Sequence, residues 1–323
     1  MGALLMSPTP FSAILTSIDR LSDEVCSFTF EAAQGMPFQA AVPGAHIDIL
    51  LPNEMLRQYS LWKWAPDGRS GSVAVKREDA GRGGSKAMHA LTIGTQVTLN
   101  GPRNNFPLDE DAPHSILLAG GIGATPIYAM AARLCDLGRP VQVHYLTRSQ
   151  AHAAFQPAFE GLGLGNGLSC HYDDIHGLVD LGGLLDAAPV GSHLYVCGPE
   201  PLLQAALNAA ASRLPEDQVH FERFAADPNA LEGPSDSFEI VLAKSGRSLR
   251  VPADRSILDS LQEAGVAVDF GCTEGVCGAC IVDVLAGEVD HRDSVLTSDE
   301  QAENSMMCVC VSRAKGKSLT LDL

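Results

Sequence analysis

At 323 residues the chain has room for two or three domains, and a hydrophobic content of 46% is ample for packed cores. A formal net charge of -17 argues against nucleic acid, whose phosphates must be met by Lys and Arg, and the longest apolar runs are far too short to cross a bilayer. No basic residue precedes the short apolar stretch at the N-terminus, so no secretory signal is expected; a cytoplasmic location with reduced cysteines follows.

Two composition breaks organise the chain. One is the acidic, proline-bounded stretch 107–113, and the other is 227–235, which has linker chemistry. Domains are therefore expected over residues 1–112, 113–228 and 235–323. Residues 1–112 carry 12 acids against 9 bases, residues 113–234 carry 12 against 5 and residues 235–323 carry 15 against 8, so the first segment is closest to neutral, as suits an anionic cofactor.

Residues 1–112 hold short strand-like runs at 28–30, 46–50 and 72–76, separated by Gly and Pro turns, which predicts an antiparallel β-barrel. Within it, Arg57-Gln58-Tyr59-Ser60 and Gly81-Arg82-Gly83-Gly84-Ser85 supply what a flavin needs. An arginine binds phosphate, a tyrosine lies along the ring or ribityl chain, a serine bonds near N5, and a Gly-Gly-Ser turn offers N–H donors.

Residues 113–228 alternate strand and helix: an apolar strand at 115–119, an Ala-rich helix over 126–137, strands at 141–146 and 193–197, then a second Ala-rich helix. That alternation predicts an α/β domain with a parallel sheet. Gly120-Gly121-Ile122-Gly123-Ala124-Thr125-Pro126 follows a strand and opens a helix, where a pyrophosphate can approach the backbone and meet free N–H groups. Cys197-Gly198-Pro199 makes a second such loop at the same sheet edge. Thr147-Arg148-Ser149 either contacts an adenosine ribose or is simply a polar loop. Cys26, Cys135 and Cys170 read as ordinary thiols.

Residues 235–323 combine strands near 238–242 and 248–251 with a helix over 256–264, started by Pro252 and Asp254 and stopped by Gly265. Cys272, Cys277 and Cys280 have C-x4-C-x2-C spacing, and 29 residues separate Cys280 from Cys310, as in a plant-type [2Fe-2S] ferredoxin. Three thiolates on one loop hold two irons only if the loop wraps closely, which Gly271, Gly275 and Gly278 allow. A four-thiolate zinc site is the alternative, although zinc sites more often pair two C-x2-C knuckles or include histidine. Cys308 competes for the fourth position, because residues two apart in an extended segment point to one side. Asp290-His291-Arg292-Asp293 reads as a hydrogen-bonded turn behind the cysteines, with His291 as a metal ligand the lesser option.

The whole chain resembles the phthalate dioxygenase reductase family, which includes vanillate O-demethylase reductases. The resemblance rests on Arg57 to Leu61, Ala74-Val75-Lys76-Arg77, Gly81 to Ser85, Gly120 to Pro126, Cys197-Gly198-Pro199, His220-Phe221-Glu222-Arg223-Phe224, Asp290 to Asp293 and Cys310-Val311-Ser312-Arg313-Ala314-Lys315. It implies a multidomain protein: a β-barrel flavin domain, an α/β nucleotide-binding domain and an α+β, β-grasp-like ferredoxin domain. It also implies FMN, with Arg57, Gly83, Gly84 and Ser85 at the phosphate, Tyr59 and Ser60 at the ring, and Lys76 nearby.

Gly120, Gly121, Gly123, Thr125, Arg148, Cys197, Gly198 and Pro199 would then bind NADH, with Ser60, Thr125 and Cys197 positioning hydride transfer. Phe224 would stack near the flavin and yield to nicotinamide, or else be a core aromatic. Cys272, Cys277, Cys280 and Cys310 would hold the cluster. The implied partner is a Rieske-type terminal oxygenase acting on an aromatic substrate, served by a monomeric NADH-dependent reductase. An O-demethylase or monooxygenase partner, and a non-catalytic redox sensor, stay open as alternatives.

Overall fold

The computed structural model describes residues 9–81, 83–224 and 236–323. The expected linker at 227–235, Arg82 and the N-terminal residues 1–8 lie outside them. The described chain divides into two compact units, Met1–Glu222 and Arg223–Leu323.

The first unit begins with a closed antiparallel barrel of strands β1 (Phe11–Arg20), β2 (Val25–Ala32), β3 (Ala45–Leu50), β4 (Leu56–Trp64), β5 (Ser70–Lys76) and β6 (Gln96–Asn104), ordered β1-β2-β5-β4-β3-β6. Alternation builds it: Phe28 and Phe30, Ile47 and Ile49, and Leu61 fill the interior, while the residues between them face outward. Helix α1 (Gly84–His89) follows β5.

A five-stranded parallel sheet completes the unit, from β7 (His114–Gly120), β8 (Val141–Thr147), β9 (Leu168–Tyr172), β10 (Ser192–Cys197) and β11 (Val219–Glu222), in the order β11-β10-β7-β8-β9. Helices α2 (Ala124–Asp136), α3 (Gln156–Glu160), α4 (Asp173–His176), α5 (Leu181–Asp186) and α6 (Glu200–Ala210) connect the strands. Pro126 falls in the first turn of α2, where a missing N–H costs nothing. Strand order reverses between β7 and β10, so their carboxyl ends open the crevice where α/β sheets bind ligands.

Barrel and sheet share one core. Trp62 of β4 meets the rings of Tyr128 and Phe155 edge-on at centroid distances of 5.3 and 5.2 Å, and its indole N–H donates to Ser27 Oγ at 3.1 Å. Burying such rings stabilises by roughly 2–3 kcal/mol each, which fixes the barrel face carrying Ser60 against the sheet edge.

The second unit has a mixed sheet of β12 (Phe238–Leu242), β13 (Arg247–Val251), β14 (Ile281–Ala286), β16 (Met306–Cys308) and β18 (Ser318–Leu321), ordered β13-β12-β18-β14-β16, beside a small ladder of β15 (Val289–Asp290) with β17 (Arg313–Ala314). Strands β12 and β18 are parallel, and α7 (Ile257–Glu263) covers the sheet as in a β-grasp fold. A capping box of Ser256 and Asp259 starts α7, in place of the Pro252 and Asp254 signals expected from sequence. Helix α8 (Ser298–Glu303) is capped the same way by Thr297 and Glu300. No helix among the described residues is long and apolar enough to cross a membrane.

Candidate functional site

The carboxyl edge of the parallel sheet brings two glycine loops into contact. A Cβ on Gly123 would lie 2.2 Å from the carbonyl oxygen of Cys197, and one on Gly198 would lie 2.9 Å from Gly120 Cα. Only bare backbone lets the loops after β7 and β10 close in this way, leaving Gly121 open to a ligand, with nothing within 4 Å of its own Cβ position. The cradle fits a dinucleotide pyrophosphate. Gly123→Ala is expected to lower stability by about 1–3 kcal/mol and to raise the KM for NADH, because the added methyl must displace the Cys197 carbonyl. Thermal melts and steady-state kinetics check both.

Next to the cradle, three side chains from distant parts of the chain converge. Cys197 and Glu222 are register partners at the ends of β10 and β11, and Ser60 Oγ of the barrel donates to Glu222 Oε2 at 3.2 Å. Cys197 Sγ lies 4.0 Å from the same oxygen. Desolvation pushes the Glu222 carboxyl up to about 8, against a small opposing effect of the Ser60 hydroxyl. Burial, then the nearby Glu222, raises the Cys197 thiol well above its ordinary value. At neutral pH the trio is therefore an uncharged hydrogen-bonding group. Sequence alone assigns Glu222 no role within His220-Phe221-Glu222-Arg223-Phe224; its signal is its place at the carboxyl end of the strand paired with Cys197.

On the barrel face, Arg57 lies against Gly84 at the start of α1 and donates to the Leu56 carbonyl at 2.8 Å. Gly83 precedes it with φ of 88°. Burial lifts the Tyr59 phenol to about 12, so it stays neutral. His46 is the cross-strand partner of Ser60, is 2% exposed, and has both ring nitrogens unpartnered among the described residues. Burial first, then Arg103, lowers it to about 3. An orphaned imidazole beside Ser60, with Arg57 next to α1, fits a bound flavin ring and phosphate.

Other expected contacts are already engaged. Lys76 pairs with Glu78 at 2.6 Å and Glu24 at 3.8 Å, and Ser85 Oγ accepts from Glu78 N–H at 3.0 Å. Thr125 is buried and its hydroxyl donates to the Ile122 carbonyl at 3.1 Å, shaping the turn into α2. Arg148 is exposed just beyond β8, and its carbonyl accepts from Asp174 N–H at 3.0 Å. Pro199 packs on Gly120. Phe224 belongs to the second unit and is 42% exposed, so it is no core aromatic.

In the second unit the loop between α7 and β14 turns its amides onto sulfur. Glu274 and Val276 N–H donate to Cys272 Sγ at 3.3 and 3.4 Å, and Cys272 N–H donates to Cys277 Sγ at 3.3 Å. Cys280 and Cys310 are hydrogen-bonded at 3.1 Å, and Gly275 N–H donates to Cys310. The four thiols thus form two pairs, 272 with 277 and 280 with 310, as two irons would require. Hydrogen bonding from the Cys277 thiol and from backbone amides lowers Cys272, and the neighbouring thiols lower Cys280, so each pair holds one sulfur whose thiolate is favoured.

The Asp290 to Asp293 turn braces this loop. Asp293 accepts from Ser312 Oγ at 3.1 Å and from the N–H groups of Val295 and Leu296 at 3.3 and 2.9 Å, while Ser294 N–H holds the Gly275 carbonyl at 2.9 Å. Gly275 has φ of 70°, and a Cβ there would lie 2.6 Å from Val311 Cγ2 and 3.1 Å from Asp293 Cα. His291 Nδ1 is 3.7 Å from Asp293 Oδ1. Arg313 donates to the carbonyls of Arg255, Asp236 and Pro252, locking the end of this segment to the body of the unit. Asp293→Ala strands a hydroxyl and two amides, and is expected to cost about 2–4 kcal/mol and to speed iron loss to a chelator several-fold.

Comparison with known proteins agrees with this geometry. The family described as 2Fe-2S iron-sulfur cluster binding domain matches residues 240–315, and that of the dimethylamine monooxygenase subunit DmmA-like N-terminal domain matches 96–218. The phenoxybenzoate dioxygenase subunit beta of Ectopseudomonas oleovorans is 43% identical over 97% of this chain and 98% of its own length. A vanillate O-demethylase oxidoreductase from a Pseudomonas species is 38% identical over 96% and 99%. The solved structure of phthalate dioxygenase reductase superposes with a TM-score of 0.70 at 36% identity, covering 97% of this chain and 98% of that one. An intact type IV self-sufficient cytochrome P450 monooxygenase gives 0.88 at 35% identity; this chain is covered fully but spans only 43% of that longer one.

Proposed function

The chain belongs to the phthalate dioxygenase reductase and vanillate O-demethylase reductase family, and from that premise we propose that it passes electrons from NADH through FMN and a [2Fe-2S] cluster to a separate Rieske-type terminal oxygenase acting on an aromatic substrate. The observation that carries the reading is the cysteine loop, with two thiol pairs and amides turned onto sulfur. A flavin takes an electron pair as hydride and releases electrons singly, and the cluster carries them one at a time.

The chain's own residues bind and orient. Arg57 with Gly83, Gly84 and Ser85 is assigned to the flavin phosphate, Tyr59 and Ser60 to the ring, with Lys76 nearby. The loops 120–125 and 197–199 are assigned to the nicotinamide dinucleotide. Glu222, neutral at pH 7, holds Ser60 and borders Cys197, so that no bare charge faces the transferring hydride. Cys272, Cys277, Cys280 and Cys310 are the proposed cluster ligands. Phe224 is assigned to the flavin by resemblance. Domain limits of 1–112, 113–228 and 235–323, a monomeric state and a cytoplasmic location complete the reading and rest on sequence and resemblance. Relatives named for a dioxygenase and for an O-demethylase make an O-demethylase the second candidate partner.

NADH is the expected donor over NADPH: Asp174 N–H bonds the Arg148 carbonyl, so the loop that carries Arg148 lies against a segment with two exposed acids, Asp173 and Asp174, which suits a 2′-phosphate poorly. Turnover with NADH is expected to exceed that with NADPH by about tenfold or more, one order being worth about 1.4 kcal/mol; equal rates would reverse the assignment. The relay itself is tested by anaerobic NADH titration with absorbance, low-temperature EPR and identification of the extracted flavin. A bleached flavin with a rhombic reduced [2Fe-2S] signal is expected. A reduced flavin beside a silent second unit would leave a flavin reductase without a relay.

A further inference from the structure

Five cysteines belong to the second unit, and the relay uses four. The fifth, Cys308, is fully buried at the end of β16, opposite Ile281 of β14. Its surroundings are set by its neighbour: Val309 N–H donates to the carbonyl of Cys280 at 3.2 Å, and the Val309 carbonyl accepts from Leu258 N–H at 2.9 Å. Val309 is thereby pinned beside Cys280 with its side chain in the core. Cys308 and Cys310 therefore flank the residue held to Cys280: Cys310 is hydrogen-bonded to the Cys280 thiol, and Cys308 is brought close to it by the pairing of β16 with β14. Beyond Cys308 the chain turns tightly, its carbonyl accepting from Val311 and Ser312 N–H at 3.3 and 3.0 Å.

Two thiolates on one tetrahedral metal, each bonded at about 2.3 Å, lie roughly 3.7 Å apart, which is within sulfur hydrogen-bonding range. A thiol held next to Cys280, as Cys308 is by the β14–β16 pairing, therefore stands near where a co-ligand of the same iron can stand. No cysteine of the second unit offers the same to the 272 and 277 pair, since the remaining four cysteines lie in the first unit.

We propose that Cys308 is a reserve cluster ligand, able to replace Cys310 as the partner of Cys280. The inference rests on the assignment of Cys310 as the native fourth ligand. In the exchange the iron–sulfur bond to Cys310 breaks and one to Cys308 forms. The Cys308 thiol gives up its proton and the freed Cys310 thiolate takes one up, with no change in oxidation state. Burial explains why Cys308 stands in reserve: it is fully enclosed at the end of β16, whereas Cys310 retains some exposure and is the thiol hydrogen-bonded to Cys280.

The test uses the full-length protein, reconstituted anaerobically with ferrous iron and sulfide, and reads iron and sulfide content and EPR. Cys310→Ala is expected to keep close to two irons per chain with shifted g-values, and the Cys308→Ala/Cys310→Ala double variant to lose them. Should Cys310→Ala fold poorly, Cys310→Ser serves: an all-thiolate resonance Raman spectrum supports exchange, and an oxygen-ligated one overturns it. An iron-free Cys310→Ala beside an intact Cys308→Ala overturns the reserve role and leaves the native assignment standing. Loss of the cluster in Cys308→Ala alone overturns the assignment of Cys310 itself.

Discussion

Cys277→Ser is expected to reduce NADH-driven cytochrome c reduction by roughly two orders of magnitude or more, because the cluster is the one-electron outlet of the relay. Cys277 is 2% exposed and takes the Cys272 amide on its sulfur, and the pair it forms with Cys272 has no spare thiol in the second unit. Serine's hydroxyl is a harder, more basic ligand and leaves the loop's inward amides facing oxygen in place of sulfur. NADH-driven ferricyanide reduction is expected to persist, since the barrel and the parallel sheet form a unit of their own. Parallel loss of both activities would show that the substitution unfolds more than the loop. A cytochrome c rate near wild type would remove Cys277 from the ligand set. The contrast with Cys310→Ala is itself informative, because only that position has a neighbour able to stand in.

Glu222→Gln is expected to flatten the pH dependence of stability between about pH 4.5 and 8. The Glu222 carboxyl is raised by desolvation to about 8 from an ordinary value of 4.5. Above 4.5 the unfolded chain gives up this proton while the folded protein keeps it, so the slope of stability against pH is negative in that window. The contribution of neutral Glu222 is fully present below pH 4.5 and is lost as pH rises through 8. At about 1.4 kcal/mol per unit, the loss is on the order of 4–5 kcal/mol as an upper limit. Glutamine keeps the acceptor for Ser60 without a titrating proton. Melts of flavin-depleted wild type and variant from pH 5 to 9 provide the check, and curves that stay parallel would place Glu222 in contact with solvent. The rate of flavin reduction by NADH in the loaded protein is expected to fall above pH 8 in wild type and to stay level in the variant, because ionisation there puts a negative charge beside Ser60 and Cys197.

The chemistry of the second unit was legible because it is written locally. Cys272, Cys277 and Cys280 share one nine-residue loop, and spacing within so short a segment restricts how thiols can be arranged. The same holds for the two glycine loops, whose strand-to-helix setting follows from periodicity. Strand order was not legible in that way. That β7 and β10 are neighbours, so that Gly123 meets Cys197, depends on pairing between segments some 80 residues apart in the chain. Lys76 and Ser85 match the flavin pattern by type, yet the fold gives them Glu24 and Glu78 as partners.

By itself the sequence determined the domain classes, the iron–sulfur loop and the nucleotide turns, since hydrophobic period, glycine placement and cysteine spacing act over a few residues. Only the tertiary structure decided what Glu222, His46 and Cys308 are. Glu222 becomes a neutral acid because the fold desolvates its carboxyl beside Cys197, His46 is orphaned because it is buried on β3 opposite Ser60, and Cys308 is brought near Cys280 because β16 pairs with β14. Desolvation and contact between distant segments exist only once the chain has folded, so no local pattern could carry them.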